Sequence, residues 1–191
     1  MEETKNLLAN ILEYNKNFVS NKDYEAYETT SLPDKKVVVL SCMDTRLTEL
    51  LPKALNLKNG DAKIIKNAGA TVMHPFGSII RSIIVAIYEF DAKDILVIGH
   101  LGCGMSQINP DQLLVKMKNR GIEVSTLSTL DHAGIDLLKW LEGFESVEAS
   151  IVESVNMIRN HPLIPSDVYI HGLIMDPKTG EVDVIVDGYR A

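Results

Sequence analysis

The chain is short of several things at once. Two of its 191 residues are cysteine and one is tryptophan, and aromatics together make up 6%. Two cysteines cannot build the dense disulfide framework of a small secreted domain. Basic residues are outnumbered, 19 Lys and Arg against 26 Asp and Glu, for a formal net charge of -7. With no basic stripe interleaved with aromatics, that balance argues against a nucleic-acid partner. The longest apolar stretch, around Ser78–Phe90, is broken by Arg81 and is too short to span a bilayer, so no membrane partner is expected. The first residues, Met1-Glu2-Glu3-Thr4-Lys5, are acidic and carry no signal-peptide pattern, and the expected location is cytoplasmic. There is no internal repeat. Neither Gly-x-Gly-x-x-Gly nor Gly-x-x-x-x-Gly-Lys-Ser/Thr occurs, which removes the common nucleotide-binding folds.

What remains is ordinary globular material, 46% hydrophobic and 24% charged. One domain over residues 1–191 is expected, with 1–34 as a helical arm and linker. Residues 4–19 place Leu7, Leu8, Ile11, Leu12, Asn15 and Phe18 at helical spacing, an amphipathic helix that must pack on the body or on another subunit. Strands are expected at Val37–Leu40, Ala62–Lys66, Asp94–Gly99, Val168–Met175 and Val182–Val186. Helices are expected over Thr48–Leu57, Phe76–Phe90 (largely buried), Pro110–Asn119, Asp131–Leu141 and Ser146–Arg159. Strand and helix alternate until a closing hairpin across Asp176–Gly180. The fold class is therefore α/β: a mostly parallel sheet of roughly four to five strands with one antiparallel edge strand and helices on both faces.

The chemistry gathers at strand ends, where open α/β sheets place their crevices. The run Val37–Leu40 stops at Cys42, followed by Asp44 and Arg46. The third strand runs into His100-Leu101-Gly102-Cys103. If these ends lie side by side, two sulfurs and an imidazole converge, a ligand set with an exchangeable fourth position that suits zinc. On the residues alone, buried core thiols remain an equal reading.

Three motifs in order, Cys42-x-Asp44-x-Arg46, Asn67-Ala68-Gly69 and Gly99-His100-x-x-Cys103-Gly104, resemble the β-class carbonic anhydrases, in the short form of the prokaryotic and archaeal branch. The resemblance implies one Zn²⁺ per chain held by Cys42, His100 and Cys103, with water or hydroxide in the fourth position. It implies reversible hydration of carbon dioxide to bicarbonate and a proton, a lyase reaction. It further implies that Asp44 and Arg46 act as a catalytic dyad, that Asp44 can become the fourth ligand in a closed form, and that the chain forms a homodimer or higher homo-oligomer whose N-terminal arm embraces the partner. The backbone of Ala68, Gly69 and Gly102 is expected to approach substrate.

Two stretches depart from the family pattern. Leu101-Gly102 makes the rim more apolar than in many relatives, and Lys66-Asn67-Ala68-Gly69-Ala70 differs from the commoner arginine-led version. Hydrolysis of carbon disulfide or carbonyl sulfide on the same ligands is the alternative enzyme. A non-catalytic zinc or thiol sensor is the alternative outside enzymes. The plainer reading of Asp44 is a cap, and of Arg46 a surface ion pair. His74, His132, His161 and His171 carry no motif, so no proton shuttle is assigned. Trp140 and Met157 are expected in the core, and the acidic cluster Glu142–Glu153 on a solvated face.

Overall fold

The computed structural model describes residues 6–190. The centre of the molecule is β1 (Val37–Cys42), all six residues of which are buried. Successive strand residues point to opposite faces, so Val38 and Leu40 enter one apolar core while Val37 and Val39 enter the other. A strand that is apolar on both faces has to lie between neighbours. β1 pairs in parallel with β2 (Ala62–Asn67) on one side and with β3 (Asp94–His100) on the other. β3 pairs in parallel with β4 (Tyr169–Met175), and β4 pairs antiparallel with β5 (Val182–Val186). The order β2-β1-β3-β4-β5 is the expected mostly parallel sheet with one antiparallel edge.

Helices cover both faces. α3 (Ser78–Phe90) and α7 (Val147–Arg159) pack Ile80, Ile83, Ile151 and Val155 over one face. The first helix after β1, α2 (Leu47–Ala54), packs Leu47 and Leu51 over the other. α7 lies close to the sheet because two strand residues lack side chains. A Cβ on Gly99 would stand 2.8 Å from Ile151, and one on Gly172 would stand 2.6 Å from it.

Several expectations need correction. Of the helix expected over 4–19, Thr4 and Lys5 lie outside the described residues, and α1 is Leu7–Ser20. It buries none of its residues, so its stripe does not pack on the body of its own chain. Of the helix expected over 131–141 only the last part forms, as α6 (Leu137–Leu141), while Asp131 and His132 end a helix that was not expected, α5 (Val124–His132). Gly134 takes φ 81°, which no α-helix accommodates, and Asp136 then caps α6 by accepting from the Lys139 N–H. Together with α4 (Pro110–Asn119) these helices bury no residue. Trp140 is accordingly 65% exposed rather than core. α3 is buried on one face only, with Val85 and Tyr88 turned outward.

Candidate metal centre

The adjacency of β1 and β3 builds the site. The two strands run in register, Ser41 opposite Ile98, so both deliver their next residues at the same edge of the sheet. Cys42 ends β1 and His100 ends β3. Cys103 follows one turn later, at the start of a 3₁₀ turn over Gly104–Gln107. Gly102 takes φ 63° to bring the chain round, a conformation glycine adopts without steric cost. The Cys42 and Cys103 sulfurs are 3.8 Å apart, and one donor atom from each of Cys42, His100 and Cys103 lies within 4.8 Å of the others. All three residues are buried.

His100 Nδ1 is 3.0 Å from the Leu101 carbonyl oxygen. A carbonyl only accepts, so Nδ1 carries the proton and Nε2 presents a lone pair. That Nε2 is buried without any hydrogen-bond partner. An unpaired acceptor in a dry interior is costly unless something else satisfies it. With two sulfurs beside it, the donor set fits a borderline-soft metal ion such as zinc. Burial pushes the Cys103 thiol up to about 11, with the neighbouring Cys42 adding to the shift.

Asp44 and Arg46 follow Cys42 at the mouth. Arg46 Nε donates to Asp44 Oδ1 at 2.9 Å and Nη2 to Oδ2 at 2.8 Å, a bidentate pair. The Arg46 backbone N–H also donates to Oδ1 at 2.9 Å, so the turn-capping reading of Asp44 and the ion-pair reading hold together. These contacts, led by the guanidinium, hold the Asp44 carboxyl well below the usual carboxylate range. Arg46 Nη2 reaches the Gly102 carbonyl at 3.3 Å, and Asp44 Oδ2 is 3.8 Å from His100 Nε2. The contact Gly102 makes here is thus through its oxygen.

On the other flank, Asn67 clamps the turn Ala68–Ala70. Its amide donates to the Thr71 carbonyl at 2.6 Å and its oxygen accepts from the Thr71 N–H at 3.2 Å. Gly69 (φ 85°) and Ala70 (φ 58°) both take left-handed backbone there, and Ala68 faces the crevice. The crevice has a volume of about 520 Å³. It is also lined by Met43, Met105 and Ile108, which sequence reasoning did not single out. Met105 carries no signal in the sequence beyond lying two residues after Cys103. None of the other four histidines lines the crevice.

The carbonic anhydrase family model matches residues 37–182. A Bacillus subtilis protein named "Putative carbonic anhydrase YvdA" is 59% identical over 96% of this chain and 93% of its own. A carbon disulfide hydrolase of Acidithiobacillus thiooxidans is 30% identical over 86% and 85%. The crystal structure of β-carbonic anhydrase isoform I of Trichomonas vaginalis superposes with a TM-score of 0.87 at 33% identity, covering 96% of this chain and all of that one. The family-model match spans β1 to β4 and the whole cysteine–histidine cluster, and this chain belongs to the β-carbonic anhydrase family.

Proposed function

We propose that the protein hydrates carbon dioxide reversibly to bicarbonate and a proton, with one zinc ion per chain held by Cys42, His100 and Cys103. The observation that carries this reading is the buried, partnerless Nε2 of His100 facing two sulfurs beside an arginine-clamped carboxylate. When bound, zinc supplies a Lewis acid that lowers the pKa of water toward neutrality. Cys42 and Cys103, as thiolates, would cancel the formal charge of the ion, so water at this site is less acidic than beside three neutral imidazoles, and alkaline pH favours turnover.

The rest falls to side chains of this chain. Asp44, kept ionised by Arg46, can only accept hydrogen bonds, so it takes one from the attacking water and aims the water's lone pair at carbon. Arg46 holds both carboxylate oxygens and keeps Asp44 from turning onto His100 and the thiols. With Arg46 released, Asp44 is near enough to take the fourth ligand position itself. Asp44 is too acidic to store the released proton, and no histidine lines the crevice, so buffer carries the proton away. Ala68, Gly69 and Gly102 supply backbone close to the substrate. Self-association into at least a homodimer belongs to the same reading, since the apolar stripe of α1 finds no cover in its own chain. So does residence in the cytoplasm, where thiols stay reduced. Among the described residues no helix is long and apolar enough to cross a membrane.

The second reading, hydrolysis of carbon disulfide, has the 30% identical hydrolase in its support. Stopped-flow assay of the zinc-loaded protein with carbon dioxide, and with carbon disulfide alongside, decides between them. Hydration of carbon dioxide rising with pH is the expected result. Turnover of carbon disulfide alone transfers the site to the second reading, and turnover of neither rejects both.

A further inference from the structure

Met105 stands between two spaces. On one side is the crevice over Cys42, Asp44 and Arg46. On the other is a cavity of about 230 Å³ between α7 and the segment Thr71–Met73. Met105 lines both. Two residues without side chains stand beside it. A Cβ on Gly143 would collide with the Met105 carbonyl oxygen, and a Cβ on Gly69 would stand 3.2 Å from Met105 Cγ. The main chain is thus held close by Gly143 alone, while the missing side chain at Gly69 leaves room beside the unbranched thioether, which keeps three rotatable bonds. A fixed main chain with a soft side chain has the mechanical properties of a door.

The cavity on the far side selects by charge. Its floor is buried and includes Val72, Ser150 and Ser154. Ser154 is already committed, its hydroxyl accepting from the Val72 N–H at 3.0 Å. Glu142 and Glu153 stand at the solvent side, and no Lys, Arg or His lines the space. Two carboxylates with no cation repel an anion and leave a neutral molecule unaffected. The metal-site crevice differs, because the one carboxylate at its mouth, Asp44, is neutralised by Arg46 and leaves no unpaired negative charge there.

We propose that this cavity is an antechamber for the neutral, linear substrate, with the Met105 side chain as the door into the metal-site crevice. The proposal rests on reading the protein as an enzyme of carbon dioxide or its sulfur analogue. Substrate collects in the cavity, passes Met105, and reacts. The anionic product leaves along the open crevice past Arg46. The acidic pair that the sequence suggested was a solvated face has this second use.

The test uses the zinc-loaded full chain with methyl-labelled methionine. Xenon, neutral and apolar, probes the apolar part of this cavity, formed by Val72, Met73, Phe144 and Met157. It is expected to shift the methyl signals of Met73, Met105 and Met157. Thiocyanate, linear but charged, is expected to leave Met73 and Met157 unmoved. Ser150→Leu fills the floor, and should abolish the xenon shifts and lower kcat/KM about tenfold, with kcat and zinc content unchanged. Should that variant fail to fold, Met157→Phe fills the same space from α7. Loss of the xenon shift with kcat/KM unchanged overturns the proposal. Turnover of carbon dioxide with Met157 unmoved by xenon overturns the antechamber alone. A protein shifted by xenon but inert toward both substrates overturns the functional reading and retains only an apolar cavity.

Discussion

Arg46 grips Asp44 through both carboxylate oxygens, Nε to Oδ1 at 2.9 Å and Nη2 to Oδ2 at 2.8 Å, while Asp44 Oδ2 stands 3.8 Å from His100 Nε2. The pair is half open to water, so its worth lies in geometry and protonation rather than in folding stability. Asp44→Asn keeps the shape and removes the charge. It should cost about 10²-fold in kcat/KM with zinc content near one per chain, measured by stopped flow and metal analysis.

The pH dependence of this pair has a definite sign. Asp44 is depressed in the folded protein, so its charge survives down to strongly acidic pH and is lost only as pH falls through the lowered value. Arg46→Gln removes the largest cause of the depression. Protonation of Asp44 then moves up toward the ordinary carboxylate range near pH 4. The limb set by ionisation of the water should stay where it is, and the variant alone should show a second, steeper loss of kcat/KM as pH falls toward about 4. The same slope in variant and wild type there would mean that Asp44 does not act as an ionised acceptor.

Zinc uptake should release protons. Without metal, burial holds the Cys103 thiol near 11, so at pH 7.5 it is protonated. The metal takes the thiolate, and the proton must leave. Titration of zinc into metal-free protein in weak buffer with an indicator dye reads this directly. Affinity should fall as pH falls. Cys103→Ser should bind zinc far more weakly, and uptake without proton release would count against the thiolate ligand.

Much of this site was legible in the chain because its parts are local. Val37–Leu40 can only be a strand buried on both faces, and whatever follows such a strand emerges at an edge of the sheet. Cys42, Asp44 and Arg46 are fixed by that one fact, and His100 with Cys103 by its repetition in β3. What stayed hidden depends on distant partners. Nothing near Met105 announces Gly143 and Phe144, which return to it only after three helices. Helices α4 to α6 carry apolar residues at helical spacing, which reads as core. Yet Trp140 faces water, because spacing tells which face is apolar and not whether anything covers it.

The opposite end of the sheet offers a stability prediction independent of the metal. Asp94 Oδ1 accepts from His171 Nε2 at 3.2 Å and from the Tyr189 hydroxyl, while His171 Nδ1 accepts from the Gly188 N–H at 3.1 Å. The hydrogen bond to Asp94 pushes Tyr189 up to about 12 from its ordinary 10. A raised value means the contribution is whole below about pH 10 and fades as pH rises through about 12. Tyr189→Phe should therefore lower Tm at pH 8, and the gap to wild type should narrow across that window. A gap that stays constant assigns the loss to packing against Tyr169 and His171 instead.

The last prediction concerns α1. Leu7, Leu8, Ile11 and Leu12 are each more than half exposed, and no residue of the helix is buried. A stripe of four large aliphatic residues, each worth about 1.5–3 kcal/mol when fully buried, is not left in water without consequence. α3 presents Val85 and Tyr88 outward as well, a second uncovered apolar surface on the same chain. A symmetric dimer buries such surfaces twice, once on each copy. The wild type should sediment as a dimer or larger at micromolar concentration. Leu8→Glu with Ile11→Glu should shift it toward monomer, because a carboxylate cannot be buried against an apolar face without a partner. These positions are far from the cysteines in sequence, so a monomeric variant that keeps its zinc yet loses turnover would mean the site needs its neighbour. A variant that stays dimeric would mean that α1 does not form the contact.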